Sequence, residues 1–146
     1  MSKPAYGYVT LVGNNPIEIK PGANIEFNRN GPLNRIEFTP PSDTLIIPKS
    51  SDYKVEYLLL IDGPASTSIY GLILNDSLVS GRLTNYGIQR QVTGASLMLS
   101  GQAIIHIPKC STLQLRNIGS TTDVLLPILN GHKINAASLT IEKLNL

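Results

Sequence analysis

Catalysis in this chain would rest on its histidines, its cysteine, its serines and its acids. The sequence holds two histidines, His106 in "AIIHIPK" and His132 in "NGHK". Neither stands in a spacing, such as H-E-x-x-H, that places two ligands on one metal ion. His106 alternates with Ile104 on one strand face and is expected to be a hydrogen-bonded strand histidine. His132 follows the turn pair Asn130-Gly131 and is expected to lie solvated beside it. Cys110, the single cysteine, has no histidine or other base near it in sequence, so it reads as a small, partly buried residue and not as an activated thiol.

The remaining nucleophiles and acids follow the same course. Ser96 in "TGASLM" lacks the second glycine of a G-x-S-x-G elbow, and neither G-x-x-x-x-G-K-[ST] nor G-x-G-x-x-G occurs. Asp43, Asp52, Asp62, Asp76 and Asp123 each adjoin a turn signal, where aspartate ordinarily bonds its own backbone. A calcium ion shared between loops is the metal chemistry these acids leave open. Asn75-Asp76-Ser77 matches a glycosylation acceptor, but between two strand-like runs it reads first as a hairpin turn. No nucleophile, base or metal can be assembled, so the expectation is a structural or binding module, not an enzyme, with no cofactor.

The elements that would carry such a module are strands. Apolar residues nowhere recur at i, i+3, i+4 and i+7 behind a cap. Gly and Pro punctuate the whole length, in "VGNNP", "KPGAN", "NRNGPLN", "TPPSD", "DGPAS", "VTGAS", "LSGQ" and "LNGHK". Between them lie short runs rich in Val, Ile, Leu, Thr and Tyr, which predicts an all-β fold of two packed sheets. The strands expected are "YGYVTLV", "PIEI", "NIEF", "RIEF", "TLIIP", "YKVEYLLLI", "SIYGLIL", "SLVSGRL", "ASLMLS", "QAIIHI", "TLQLRNI", "TDVLLPIL" and "ASLTIEKL". At 146 residues the chain is expected to be one domain, 1–146, with 1–43 as less regular strands and loops around the sandwich.

Composition excludes several partners. The chain is 42% hydrophobic and 15% charged, with a net charge of +2 and scattered Lys and Arg, so nucleic acid is not an expected partner. No apolar run approaches the roughly 20 residues of a membrane span. The start, "MSKPAYGYVTLV", has neither the charged nor the apolar region of a secretory signal. The expectation is a protein made in the cytoplasm and used there or released without a Sec signal.

One strand carries a pattern that needs an explanation. In "SSDYKVEYLLLIDG", Tyr53, Val55, Tyr57, Leu59 and Ile61 share one face at period two. The other face begins with Lys54 and Glu56 and then turns to Leu58 and Leu60. Leaving a leucine in water forgoes about 1.5–3 kcal/mol of burial. Something is expected to cover this second half, either a neighbouring subunit or the chain's own N-terminal segment. "SIYGLIL" is apolar on both faces, so Tyr70 and Leu72 face either a subunit neighbour or the chain's own sandwich, and Gly71 permits a close approach.

These residues carry a resemblance. "DTLIIPKSSDYKVEYLLLI" resembles the segment in which complement-type globular heads and TNF-like domains run from an apolar pair into x-Y-x-V/I. "LILNDS" is similar to their next strand and tight turn, "GQAIIHIPKCSTLQLRNIGS" to their late hairpin, and "AASLTIEKL" to their last strand. Residues 44–146 most resemble the C-terminal domain of collagen-like glycoproteins of bacterial spore exosporia. Asp52 stands where that family usually has Gly, Asn75-Asp76 where it commonly has Asn-Gly, and residues 1–43 hold no Gly-X-Y tract.

The resemblance implies a two-sheet, TNF-like jelly roll assembled as a compact homotrimer. Leu58 and Leu60 would then lie under a subunit contact, with Tyr57, Tyr70 and Leu72 as further interface candidates. It also implies a non-enzymatic structural or surface-assembly protein of the spore outer layer, exosporium or coat, whose partners are itself and other spore-surface proteins or glycans. The alternative is a receptor- or ligand-binding head for a glycan or protein, including one from a phage tail. Its candidate loops are "DGPASTS", "PKCST" and "RLTNYGIQRQ", the last offering Arg82, Tyr86 and Arg90 as a recognition surface.

Overall fold

In the computed structural model, residues 3–144 are described, and among them the chain forms fourteen strands and one short 3-10 turn. The first strands are β1 (Tyr6–Leu11), β2 (Ile17–Ile19), β3 (Arg29–Asn34), β4 (Leu45–Ile47) and β5 (Ser51–Asp62). They are followed by β6 (Thr67–Leu74), β7 (Ser77–Leu78), β8 (Tyr86–Gln89), β9 (Leu97–Ile107) and β10 (Ser111–Asn117). The last are β11 (Asp123–Leu125), β12 (Ile128–Leu129), β13 (His132–Lys133) and β14 (Ala137–Lys143).

Two antiparallel sheets pack face to face. In the first, β5 pairs with β9 on one edge and with β14 on the other, and β14 leads on to β1 and then β3. Past the end of β14, β11 takes over the same edge of β5 and carries β2 on its far side. The second sheet runs β4–β10–β6, with β7 and β8 sharing the outer edge of β6. The period-two pattern of β5 does what alternation requires: Tyr53, Val55, Tyr57, Leu59 and Ile61 are all buried against the facing sheet. Leu113 and Leu115 of β10 and Tyr70 and Leu72 of β6 meet them from the other side.

The hairpin turns have the chemistry their residues specify. Asn75 and Asp76 both have positive φ, 50° and 69°, and so do Asn130 and Gly131, 48° and 78°. Consecutive left-handed residues make the turn whose twist matches two antiparallel strands. His132 is exposed beside the second turn. Cys110 does not lie partly buried as expected: it is exposed at φ 57° in the turn joining β9 to β10.

Several strand assignments differ from expectation. "SLVSGRL" keeps only β7 before the 3-10 turn at Ser80–Arg82, "TDVLLPIL" divides into β11 and β12, and β8 and β13 form where loop was expected. The other differences have physical reasons. "RNGPLN" carries two turn formers, yet it is β3, paired along one edge only, where the missing N–H of Pro32 costs no ladder bond. "NIEF" and "RIEF" contribute isolated bridges at Asn24, Phe27 and Glu37 instead of strands. "ASLMLS" and "QAIIHI" are one unbroken strand, β9, because Gly101 is not a turn. A side chain at position 101 would collide with Tyr57, with a Cβ falling 2.6 Å from both its Cε2 and its hydroxyl oxygen. Gly101→Ala should therefore displace that ring at a cost of about 1–3 kcal/mol, read as a lowered urea midpoint with an unchanged m-value.

Candidate functional site

The face of the first sheet turned away from the core gathers large apolar side chains in the open. Residues directly opposite one another in neighbouring strands share a face. The ladder therefore sets Ile104 beside Lys54, Glu142 and Tyr6, and the next row sets Gln102 beside Glu56, Thr140 and Tyr8. A third row joins Ser100, Leu58, Ser138 and Thr10, and a fourth pairs Met98 with Leu60. On this face Ile104 is 63% exposed, Met98 54%, and Leu58 and Tyr6 43% each. Lys54 Nζ and Glu56 Oε1 pair at 3.2 Å in solvent, which adds little to stability.

The two leucines that raised the question of a cover are treated differently. Leu60 is buried where β14 gives way to β11: its N–H donates to the Ala136 carbonyl, and its carbonyl accepts from the N–H of Leu126. Its side chain is 8% exposed within the single chain. Leu58 has no such cover.

Tyr57, Tyr70 and Leu72 are corrected from interface candidates to core residues of a single chain, since none is more than 1% exposed. The Tyr57 hydroxyl reaches across the sandwich to the carbonyls of Thr84 (2.6 Å) and Tyr70 (3.1 Å), and burial holds its pKa far above that of a free phenol. Tyr70 is shifted the same way, first by burial and then by the Asp123 carboxylate facing it. The outer side of β6 is also covered from within. A Cβ at Gly71 would meet Asn85 Oδ1 at 2.7 Å and Leu78 Cδ1 at 2.9 Å.

The recognition residues Arg82, Tyr86 and Arg90 do not form one surface. Arg82 is exposed in the 3-10 turn, at φ 60°. Tyr86 lies across the edge of β9, donating to the Gln102 carbonyl at 2.7 Å and meeting the Tyr57 ring edge-on at 6.4 Å. With Gln102 it walls two shallow hollows of about 310 and 320 Å³ on the apolar face, one beside Leu58 and one beside Ile104. Arg90 is a correction: its side chain is fully buried against Asp123, so it offers nothing to a ligand.

Sequence reading missed Met98, Ile104, Tyr6 and Tyr8 as members of this face. The signal for Met98 and Ile104 was the alternation Met98, Ser100, Gln102, Ile104, His106, divided by the false turn at Gly101; Tyr6 and Tyr8 join the face through the β1–β14 register.

The fold also assembles a set the sequence hid. His106 Nδ1 lies 3.0 Å from Asp52 Oδ1, and its Nε2 lies 3.4 Å from Ser50 Oγ. That is the connectivity of a catalytic triad, but the His106 and Asp52 side chains are 63% and 46% exposed. Acyl transfer needs oxyanion donors in a water-excluded site, so we read the set as a surface clamp holding the ends of β5 and β9 together. Among the described residues no three His, Cys, Asp or Glu side chains converge to hold a metal ion.

No protein-family model matches the sequence, and no curated protein matches it. Solved structures do. The chain superposes on Eiger TNF from S. frugiperda with a TM-score of 0.76 at 12% identity, covering 97% of this chain and 93% of that one. The globular domain of zebrafish complement 1qA gives 0.66 at 12% identity, covering 94% of each chain. Murine APRIL gives 0.65 at 12% identity, covering 97% of this chain and all (100%) of that one. At such identities the likeness establishes the fold, and the chain is a TNF-like jelly roll.

Proposed function

We propose that this chain is a non-enzymatic head that associates with copies of itself through the Leu58–Met98–Ile104–Tyr6 face, forming a homotrimer. The observation that carries the reading is that face: four large apolar side chains, 43–63% exposed, on one continuous sheet surface. A patch of that kind marks a protein contact more often than a surface left to water. Burying one sheet face against a different part of the neighbour is a heterologous contact, and such contacts close into rings when the rotation fits. The assembled head would serve as a structural protein of the spore outer layer, supported by the sequence likeness of residues 44–146 to exosporium domains. Light scattering over a dilution series should return three times the chain mass, and a mass of one chain at every concentration would overturn the assembly. A fluorescent fusion that coats the spore would support the location, and one that stays in the mother-cell cytoplasm would refute it.

The recognition-head reading is favoured by a separate observation, a cationic pocket at one end of the first sheet.

A further inference from the structure

We propose that the pocket between the β1–β2 turn and the β13–β14 connection binds a carboxylate-bearing sugar, such as a uronic acid. It is a concavity of about 380 Å³ lined by Val12, Asn14, Arg29, Lys133, Ile134 and Asn135, among others. That volume falls within the usual range of small-ligand sites, roughly 300–1,000 Å³.

The lining has a selective chemistry. Arg29 and Lys133 enter it from different elements, and no carboxylate lines it to neutralise them. Neither makes a salt bridge or a side-chain hydrogen bond among the described residues. Two unpaired cations facing one hollow suit an anion, and Arg suits a planar carboxylate because its donors match two oxygens at once. Asn14 and Asn135 are likewise without side-chain partners, and each amide offers both a donor and an acceptor. Ring hydroxyls need that pair of functions, whereas phosphate uses donors alone. Val12 and Ile134 supply apolar wall for the C–H face of a sugar.

The walls are held in place before any ligand arrives. Asn28 clamps Val12, accepting from its N–H at 3.0 Å and donating to its carbonyl at 2.8 Å. The Ala136 N–H donates to the Leu11 carbonyl at 2.8 Å, tying the two sides of the pocket to each other. Ile134 is fixed in turn by its N–H to the Pro127 carbonyl at 2.9 Å. Such preorganisation lowers the ordering cost of binding.

The inference stands whether or not the chain self-associates. The test is a titration of the full chain, followed by amide NMR shifts, with galacturonate, galactose and inorganic phosphate as probes. Expected are saturable shifts at Gly13, Asn14 and Asn135 with galacturonate, and binding at least about tenfold weaker for galactose and for phosphate. Arg29→Ala and Lys133→Ala should each weaken galacturonate about tenfold, while Arg82→Ala, an exposed arginine elsewhere, should leave it unchanged. Phosphate binding as tightly as galacturonate would overturn the sugar assignment, and so would equal binding of galactose. Shifts unaffected by both pocket substitutions, or no saturable shift at all, would overturn the site.

Discussion

Arg90→Ala and Asp123→Ala should each lower the unfolding free energy by about 3–5 kcal/mol, while Arg90→Met combined with Asp123→Leu should recover most of the loss. Both side chains are 0% exposed, with Nη2 3.4 Å from Oδ1. The guanidinium also donates to Ser68 Oγ at 2.7 Å and to the Pro64 carbonyl at 2.9 Å, and Ser68 Oγ donates to Asp123 Oδ1 at 2.5 Å. Arg90 directly follows β8 and Ser68 is the second residue of β6, both strands of the second sheet, whereas Asp123 opens β11 in the first. The cluster therefore ties the two sheets together at one end of the sandwich. Deleting either partner leaves the other's charge buried without compensation, and replacing both removes the desolvation cost along with the attraction. Asp123 Oδ2 and Tyr70 Oη have no hydrogen-bond partner in the cluster, so the pair has little reserve when one member is lost. Urea unfolding of the two single variants and the double variant completes a mutant cycle. Single-variant losses below about 1 kcal/mol would mean that water reaches the pair.

The same cluster marks where sequence reading ran out. Arg90 sits in a polar stretch, "YGIQRQ", and its partner lies 33 residues downstream, so nothing local separates a solvated arginine from one locked in a core. Strand β5 was legible because alternation is a local signal, and the turns at Asn75-Asp76 and Asn130-Gly131 because positive φ selects few residue types. Strand β3 was hidden by Pro32 and Gly31, which are tolerable only because the strand is an edge, a fact of topology. Gly101 punctuated β9 on paper, but its cause is the Tyr57 ring lying across it from the neighbouring strand. Tyr70 and Leu72 failed as interface candidates for a related reason. An apolar strand face looks the same whether its cover is a second sheet or a second subunit. The apolar site was half visible: Leu58 and Leu60 were singled out, but Met98 and Ile104 join them only through the β5–β9 register.

Leu58→Asp combined with Ile104→Asp should weaken self-association at least about 100-fold, which is about 2.7 kcal/mol, without unfolding the chain. Both side chains are already largely in solvent in the single chain, 43% and 63% exposed, so a carboxylate at either position is hydrated there and should change its stability by no more than about 0.5 kcal/mol. In an assembly the same carboxylate must lose its water against an apolar neighbour, and every subunit brings two. Leu60→Asp is the contrasting variant. At 8% exposure its charge would be buried within its own chain, so it should unfold the subunit whether or not an assembly exists. Mass by light scattering and stability by urea, measured on both variants, therefore separate the two covers. A trimer that survives Leu58→Asp with Ile104→Asp would move the contact to another face, because a buried interface does not accept two uncompensated charges per subunit.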